Sequence, residues 1–165
     1  MPTAPKETEQ VLILGVGNTL LSDDGVGIRV TEILRREGGL GAHVSICDGG
    51  TIGLALLPQI EQAERLIVVD AAQIDAAPGA VRTYENAHMD AHLSRSRSTV
   101  HEVALSDILD AARLSGTAPK EQVLVAIQPQ VTGWGDAPTE AVAEAIPQAC
   151  RFVRRYIKRW SDACA

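Results

Sequence analysis

Three short apolar runs, each breaking off into glycine or a polar residue, constrain this chain more than any other feature. They are VLILGVG at 11–17, RLIVVDA at 65–71 and QVLVAIQP at 122–129. Runs of this length, rich in Val, Ile and Leu, suit strands buried on both faces, as in a parallel sheet covered by helices. Amphipathic segments separate them. Val26, Val30, Ile33 and Leu34 share one helical face over 26–37, and Gly38-Gly39 stops that helix. AHVSICDGG (42–50) reads as another strand, Leu54, Leu57 and Ile60 as a short helix, and AVRTYE (80–85) as a strand after the Ala77-Pro78-Gly79 turn. The polar stretch 86–99 reads as a loop. Val103, Leu105, Ile108, Leu109 and Ala112 mark a helix ending near Gly116, and Ala137-Pro138-Thr139 opens the last helix, which Pro147 should kink or split. The alternation predicts an α/β three-layer sandwich: a twisted, mostly parallel five-stranded sheet with helices on both faces, joined by right-handed crossovers. One domain spans 11–160, after a polar lead-in at 1–10 expected to be disordered.

Composition narrows the function classes. The chain has 165 residues and a formal net charge of −6, which disfavours the phosphate neutralisation that nucleic-acid binding needs. One Phe, two Tyr and two Trp are too few for a base-stacking platform. No apolar run approaches the roughly 18 residues that span a bilayer. Cys47, Cys150 and Cys164 form no CxxC pair, so reduced thiols in a cytoplasmic protein are expected.

In a doubly wound sheet, ligands bind beyond the carboxyl ends of the strands. The first strand delivers Gly15, Gly17, Asn18, Ser22, Asp23, Asp24, Gly25 and Gly27 to that edge. The second delivers Cys47, Asp48, Gly49 and Gly50, the third Asp70, and the last Gln128 and Gln130. Gly15-Val16-Gly17 after a strand suggests a dinucleotide site. Against it, Leu20 replaces the third glycine, and Asp23 and Asp24 would repel a pyrophosphate at the helix N-terminus.

A metal site is the other reading, because carboxylates with imidazole suit divalent ions such as zinc or nickel. Each residue also has a plainer role. Ser22 or Asp23 could cap the first helix, and Asp48 before Gly49-Gly50 could be a turn residue. His43 fits the surface, Cys47 the core, and His88 and His92 a solvated loop. His101 at a helix start is open between a helix-entry residue and a ligand. Asp70 is the hardest to explain structurally, since it closes an apolar run and a buried carboxylate needs a partner. No GxSxG elbow or cysteine-protease motif is present.

Four segments in order, GVGNTLLSDDGVG (15–27), DGGTIGLALL (48–57), VVDA (68–71) and HEVALSDIL (101–109), resemble the nickel-iron hydrogenase maturation endopeptidases, with the likeness extending over about 11–158. The resemblance implies a peptidase that removes the C-terminal extension of the hydrogenase large-subunit precursor after nickel insertion. It implies that Asp24, Asp70 and His101 approach the nickel and that Asp48 serves substrate recognition or cleavage. Asp24 stands where some members carry Glu. Nickel would arrive with the substrate, no permanently bound metal is expected, and a cytoplasmic monomer is implied. His88 and His92 match nothing in the family motif. A non-enzymatic nickel-sensing or scaffold protein of the same fold is the alternative, ahead of a nucleotide-binding Rossmann-like domain.

Overall fold

A computed structural model describes residues 9–50, 53–96 and 99–164. Most of the expected lead-in, residues 1–8, lies outside the described residues. The strands are β1 (Val11–Val16), β2 (Val44–Gly50), β3 (Arg65–Ala71), β4 (Val81–Glu85) and β5 (Glu121–Ile127). The α-helices are α1 (Val26–Glu37), α2 (Leu57–Gln62), α3 (Ala87–Arg95), α4 (Val100–Leu114) and α5 (Glu140–Ala163). The five strands form one sheet in the order β2-β1-β3-β5-β4. All neighbours pair in parallel except the edge strand β4, which runs antiparallel to β5.

Side chains alternate across the sheet and build two cores. Ile13, Ile67, Val69, Val125 and Ile127 pack under α1 and α5, where Val30, Leu34, Val142, Val153 and Trp160 meet them. Leu14, Leu66, Val68 and Leu124 pack on the other face against Met89, Leu93, Leu105, Ile108 and Leu109 of α3 and α4. The layers and the mostly parallel sheet are those the alternation predicts.

Two local readings change. The stretch 86–99 is not loop throughout, because α3 occupies 87–95 and buries Met89, His92 and Leu93. His92 does not sit on a solvated loop. Its ring stacks on Tyr84 at 4.4 Å, while His88 is exposed. Pro147 does not split α5, which continues from Glu140 to Ala163. The proline lies on the exposed face, where water can reach the carbonyl left without its donor.

The order of the sheet creates a crevice. From β1 the chain crosses to β2 on one side, while β3 and β5 continue on the other. The carboxyl ends of β1 and β3 therefore flank the topological switch point. Glycine lets the loop after β1 pack tightly there. Gly17 has φ 128°, and a Cβ on it would stand 1.9 Å from the Asp24 carbonyl oxygen. A Cβ on Gly27 would stand 2.1 Å from the Val69 carbonyl oxygen, so α1 touches the end of β3 only because this residue has none.

Asp23 fixes the loop from the other side. Its carboxylate accepts hydrogen bonds from the backbone N–H groups of Gln130 (2.8 Å), Val131 (2.9 Å) and Thr139 (2.6 Å), and from the Thr139 hydroxyl. It does not cap α1, whose N-cap is Gly25 without a side-chain bond. It serves the start of α5 instead, where Thr139 is the N-cap. Burial alone would raise the Asp23 pKa, but these donors outweigh it and hold the group below the ordinary value.

A depressed carboxylate contributes stability that is present above its unfolded pKa and lost as pH falls through the folded one. Asp23→Asn should therefore lower stability by about 1–3 kcal/mol at neutral pH. Thermal unfolding of both proteins should show the Tm gap closing below about pH 4. A gap independent of pH would remove the charge from this role.

Candidate functional site at the carboxyl edge

Asp70 is the next-to-last residue of β3 and is only 3% exposed. By alternation it shares the face of Leu66 and Val68, the side covered by α4. Its Oδ1 is buried without a hydrogen-bond partner. Burial pushes the Asp70 pKa well up. His101 pulls it back, while the charges of Asp24 and Glu102 raise it further. Burial here disfavours the charged form of this carboxyl group.

Asp24 follows β1 in the short 3-10 turn Ser22–Gly25, and its Oδ2 accepts the backbone N–H of Asn18 at 2.9 Å. The same oxygen lies 3.4 Å from Nε2 of His101. Burial opposes ionisation of Asp24, but the bonds from His101 and Asn18 keep its pKa below the ordinary value. His101 is the second residue of α4. The Thr99–Glu102 capping box fixes that helix start, with the Glu102 N–H donating to Thr99 Oγ1 and the Glu102 carboxylate accepting the Thr99 N–H. The bond to Asp24 raises the His101 pKa, burial lowers it, and the charges of Asp24, Asp70 and Glu102 raise it again, for a net rise. Nδ1 of His101 is buried and unpartnered.

The three residues expected to act together thus converge at the switch point. Asp24 and His101 are in contact, and Asp70 lies within electrostatic reach of both. Among the described residues, no three His, Cys, Asp or Glu side chains form a ready ion cage. Asp70 Oδ1 and His101 Nδ1 are each buried without a partner, and carboxylate oxygen with imidazole nitrogen is a donor chemistry that suits nickel or zinc.

Asp48 stands apart from this group. It is an exposed residue near the end of β2, opposite Gly15 in the β1–β2 register, and its Oδ1 accepts the Gly50 N–H at 2.8 Å. It lines an open depression of about 300 Å³ with Gly17, Asn18 and Thr19. Gln128 is structural, since its side chain accepts the Ile74 N–H and donates to Gln73. Cys47 is half-buried with a raised pKa, caused first by desolvation and then by the charge of Asp48, which does not favour a thiolate. The sequence places Asn18 at this edge without a role and gives no role to Glu102. The Thr99-x-x-Glu102 spacing is a capping-box signal that points to the latter.

The sequence profile of the hydrogenase maturation proteases matches residues 28–155, which takes in Asp48, Asp70 and His101 and begins just after Asp24. The hydrogenase expression/formation protein HupD of Rhodobacter capsulatus is 35% identical over 153 residues, covering 92% of this chain and 73% of the relative. The hydrogenase 2 maturation protease of Escherichia coli is 36% identical over 122 residues, 73% of this chain and 74% of its own. Among solved structures, the hydrogenase maturating endopeptidase HybD from E. coli superposes with a TM-score of 0.87 at 32% identity, covering 91% of this chain and 93% of that one.

Asp70 keeps one buried oxygen without a partner, which is a cost to the fold that the Ala71 N–H offsets only in part. Asp70→Asn should leave Tm at neutral pH unchanged or raised, because it removes a buried charge and little volume. Thermal unfolding checks this. A loss beyond about 2 kcal/mol would make the carboxylate a structural group.

Proposed function

The chain belongs to the hydrogenase maturation protease family, and we propose that it removes the C-terminal extension of a [NiFe]-hydrogenase large-subunit precursor once nickel has been inserted. The observation that carries this reading is the pair of unsatisfied buried atoms, Asp70 Oδ1 and His101 Nδ1, beside the ionised Asp24. Nickel belongs to the substrate in this reading. Asp24, Asp70 and His101 face it, and the ion relieves the repulsion between two carboxylates held at one strand edge. A small set of protein ligands suits an ion that arrives with other ligands of its own.

The chain's own groups do the positioning. Asn18 holds the Asp24 carboxylate and the capping box holds the helix start that carries His101, so the contact between the two is fixed before substrate arrives. Gly17 lets the loop fold against Asp24 and so sets that carboxylate beside the depression that Asp48 lines. Asp48, on the rim beside Asn18, contacts the substrate chain. In the hydrolysis a water oxygen bonds to the scissile carbonyl carbon, the C–N bond breaks, and the released amine takes a proton. Bound nickel supplies Lewis acidity at that point. The same reading places the chain in the cytoplasm as a monomer. Among the described residues, no helix is long and apolar enough to cross a membrane.

The test is mass spectrometry of precursor incubated with this protein, with and without nickel. Cleavage should occur only after nickel loading, and generic peptides should remain intact. His101→Ala and Asp70→Asn should each slow processing by at least about 100-fold, on the scale of a lost ligand or proton-handling group. Cys47→Ser should process normally. Efficient cleavage of rigorously nickel-free precursor, or full activity of His101→Ala, would overturn the assignment.

A further inference from the structure

Outside the chemical site, the molecule exposes a group of large apolar side chains on one structural unit. Leu20, Val131 and Trp134 are all exposed, Trp134 by 85%. They lie on two loops that are locked together. The Gly135 N–H donates to the Leu20 carbonyl at 2.9 Å, the Ser22 N–H to the Gly135 carbonyl at 2.9 Å, and the Asp23 N–H to the Val131 carbonyl at 3.0 Å. The Ser22 hydroxyl donates to the Gly133 carbonyl at 2.9 Å. Arg29 holds the Asp136 carbonyl from α1. Apolar side chains are thus displayed in water on two loops that are hydrogen-bonded to each other. Exposed apolar patches of this kind mark interaction surfaces, and tryptophan is the residue most enriched at binding hot spots.

The location gives the occupant. The first loop is the one that carries Asp24, so the apolar group borders the site directly. Val100, 83% exposed, flanks it beside His101 at the start of α4. Neither 18–25 nor 128–139 contains Lys or Arg, and the neighbouring Arg29 guanidinium is turned to the Asp136 carbonyl, so the two loops offer apolar contact and not a cationic patch. The groups within the site are nearly buried and offer little contact area to a substrate chain. Affinity for a macromolecular substrate must then come from the rim.

We propose that Leu20, Val131 and Trp134, with Val100 beside His101, form a docking surface for an apolar patch on the folded body of the precursor, separate from the groups that face nickel. The inference rests on the function proposed above. Docking precedes the nickel check, so the precursor binds with or without the metal and only the loaded form is cut.

The chain has two tryptophans, and Trp160 is buried. Labelling with 5-fluorotryptophan therefore gives one resonance from the rim and one from the core. On adding unlabelled, nickel-free precursor, the Trp134 signal should shift while the Trp160 signal stays in place. Trp134→Ala combined with Val131→Ser should bind that precursor about tenfold or more weakly. With nickel-loaded precursor the same variant should raise KM by a similar factor at unchanged kcat. Leu114→Ser is the control. Leu114 is 91% exposed at the far end of α4, about 20 Å along the helix from Val100, and its loss should change nothing. An unshifted Trp134 signal in the complex, wild-type KM in the double variant, or a Trp134 shift caused by self-association alone would overturn the docking proposal. Failure of the underlying function looks different, since wild-type protein would then leave nickel-loaded precursor uncut.

Discussion

Two buried carboxylates stand near the same edge of one sheet, and the contrast between them organises the molecule. Asp23 is fully buried and accepts bonds from three backbone N–H groups and a hydroxyl. That arrangement offsets the cost of burying its charge and locks the β1–α1 loop to the start of α5. Everything after it depends on that lock. Asp24 follows directly, and Gly17 and Gly27 allow the loop to sit against the end of β3. Asp70, equally buried, has an oxygen with no partner. The first carboxylate holds the structure and the second is held by it, which is the distinction between a structural and a functional buried charge.

Much of this was legible in the residues. Runs of Val, Ile and Leu locate β1, β3 and β5 because strands buried on both faces need continuous apolar sequence. Asp24, Asp70 and His101 can be placed at strand ends and a helix start without knowing the fold. The role of Asp23 could not be read locally, because its partners lie 107 to 116 residues away. It looked like a helix cap, and a short polar side chain before a helix is usually that. Helix α3 was hidden by composition. Its buried stripe is Met89, His92 and Leu93, and a histidine that stacks on Tyr84 counts as polar in any hydropathy pattern. The antiparallel direction of β4 leaves no trace in its five residues, since an edge strand reads the same both ways.

The electrostatics divide this site of two carboxylates and one imidazole into an internal ion pair and one carboxyl group left outside it. Asp24 and His101 pair with each other, each shifting the other toward its charged form. Asp70 cannot join them fully, because β3 fixes its position and burial favours its neutral form. The resulting cluster is strained in the electrostatic sense and open to an incoming cation. Around it lies a surface of opposite character, with Trp134, Val131 and Leu20 exposed on two loops joined by backbone hydrogen bonds. Chemistry and attachment occupy neighbouring but distinct parts of one edge, both anchored through the residues 20–25.

The central claim is that Asp24, Asp70 and His101 meet the nickel of the substrate. X-ray absorption at the nickel edge tests it most directly, using loaded precursor made uncleavable at the scissile position. Spectra would be compared for the precursor alone, with this protein, and with its His101→Ala variant. The account predicts that binding adds carboxylate oxygen and one imidazole nitrogen to the nickel, and that the nitrogen is lost with His101→Ala. A nickel coordination sphere unchanged by binding, in a complex shown to have formed, would contradict it.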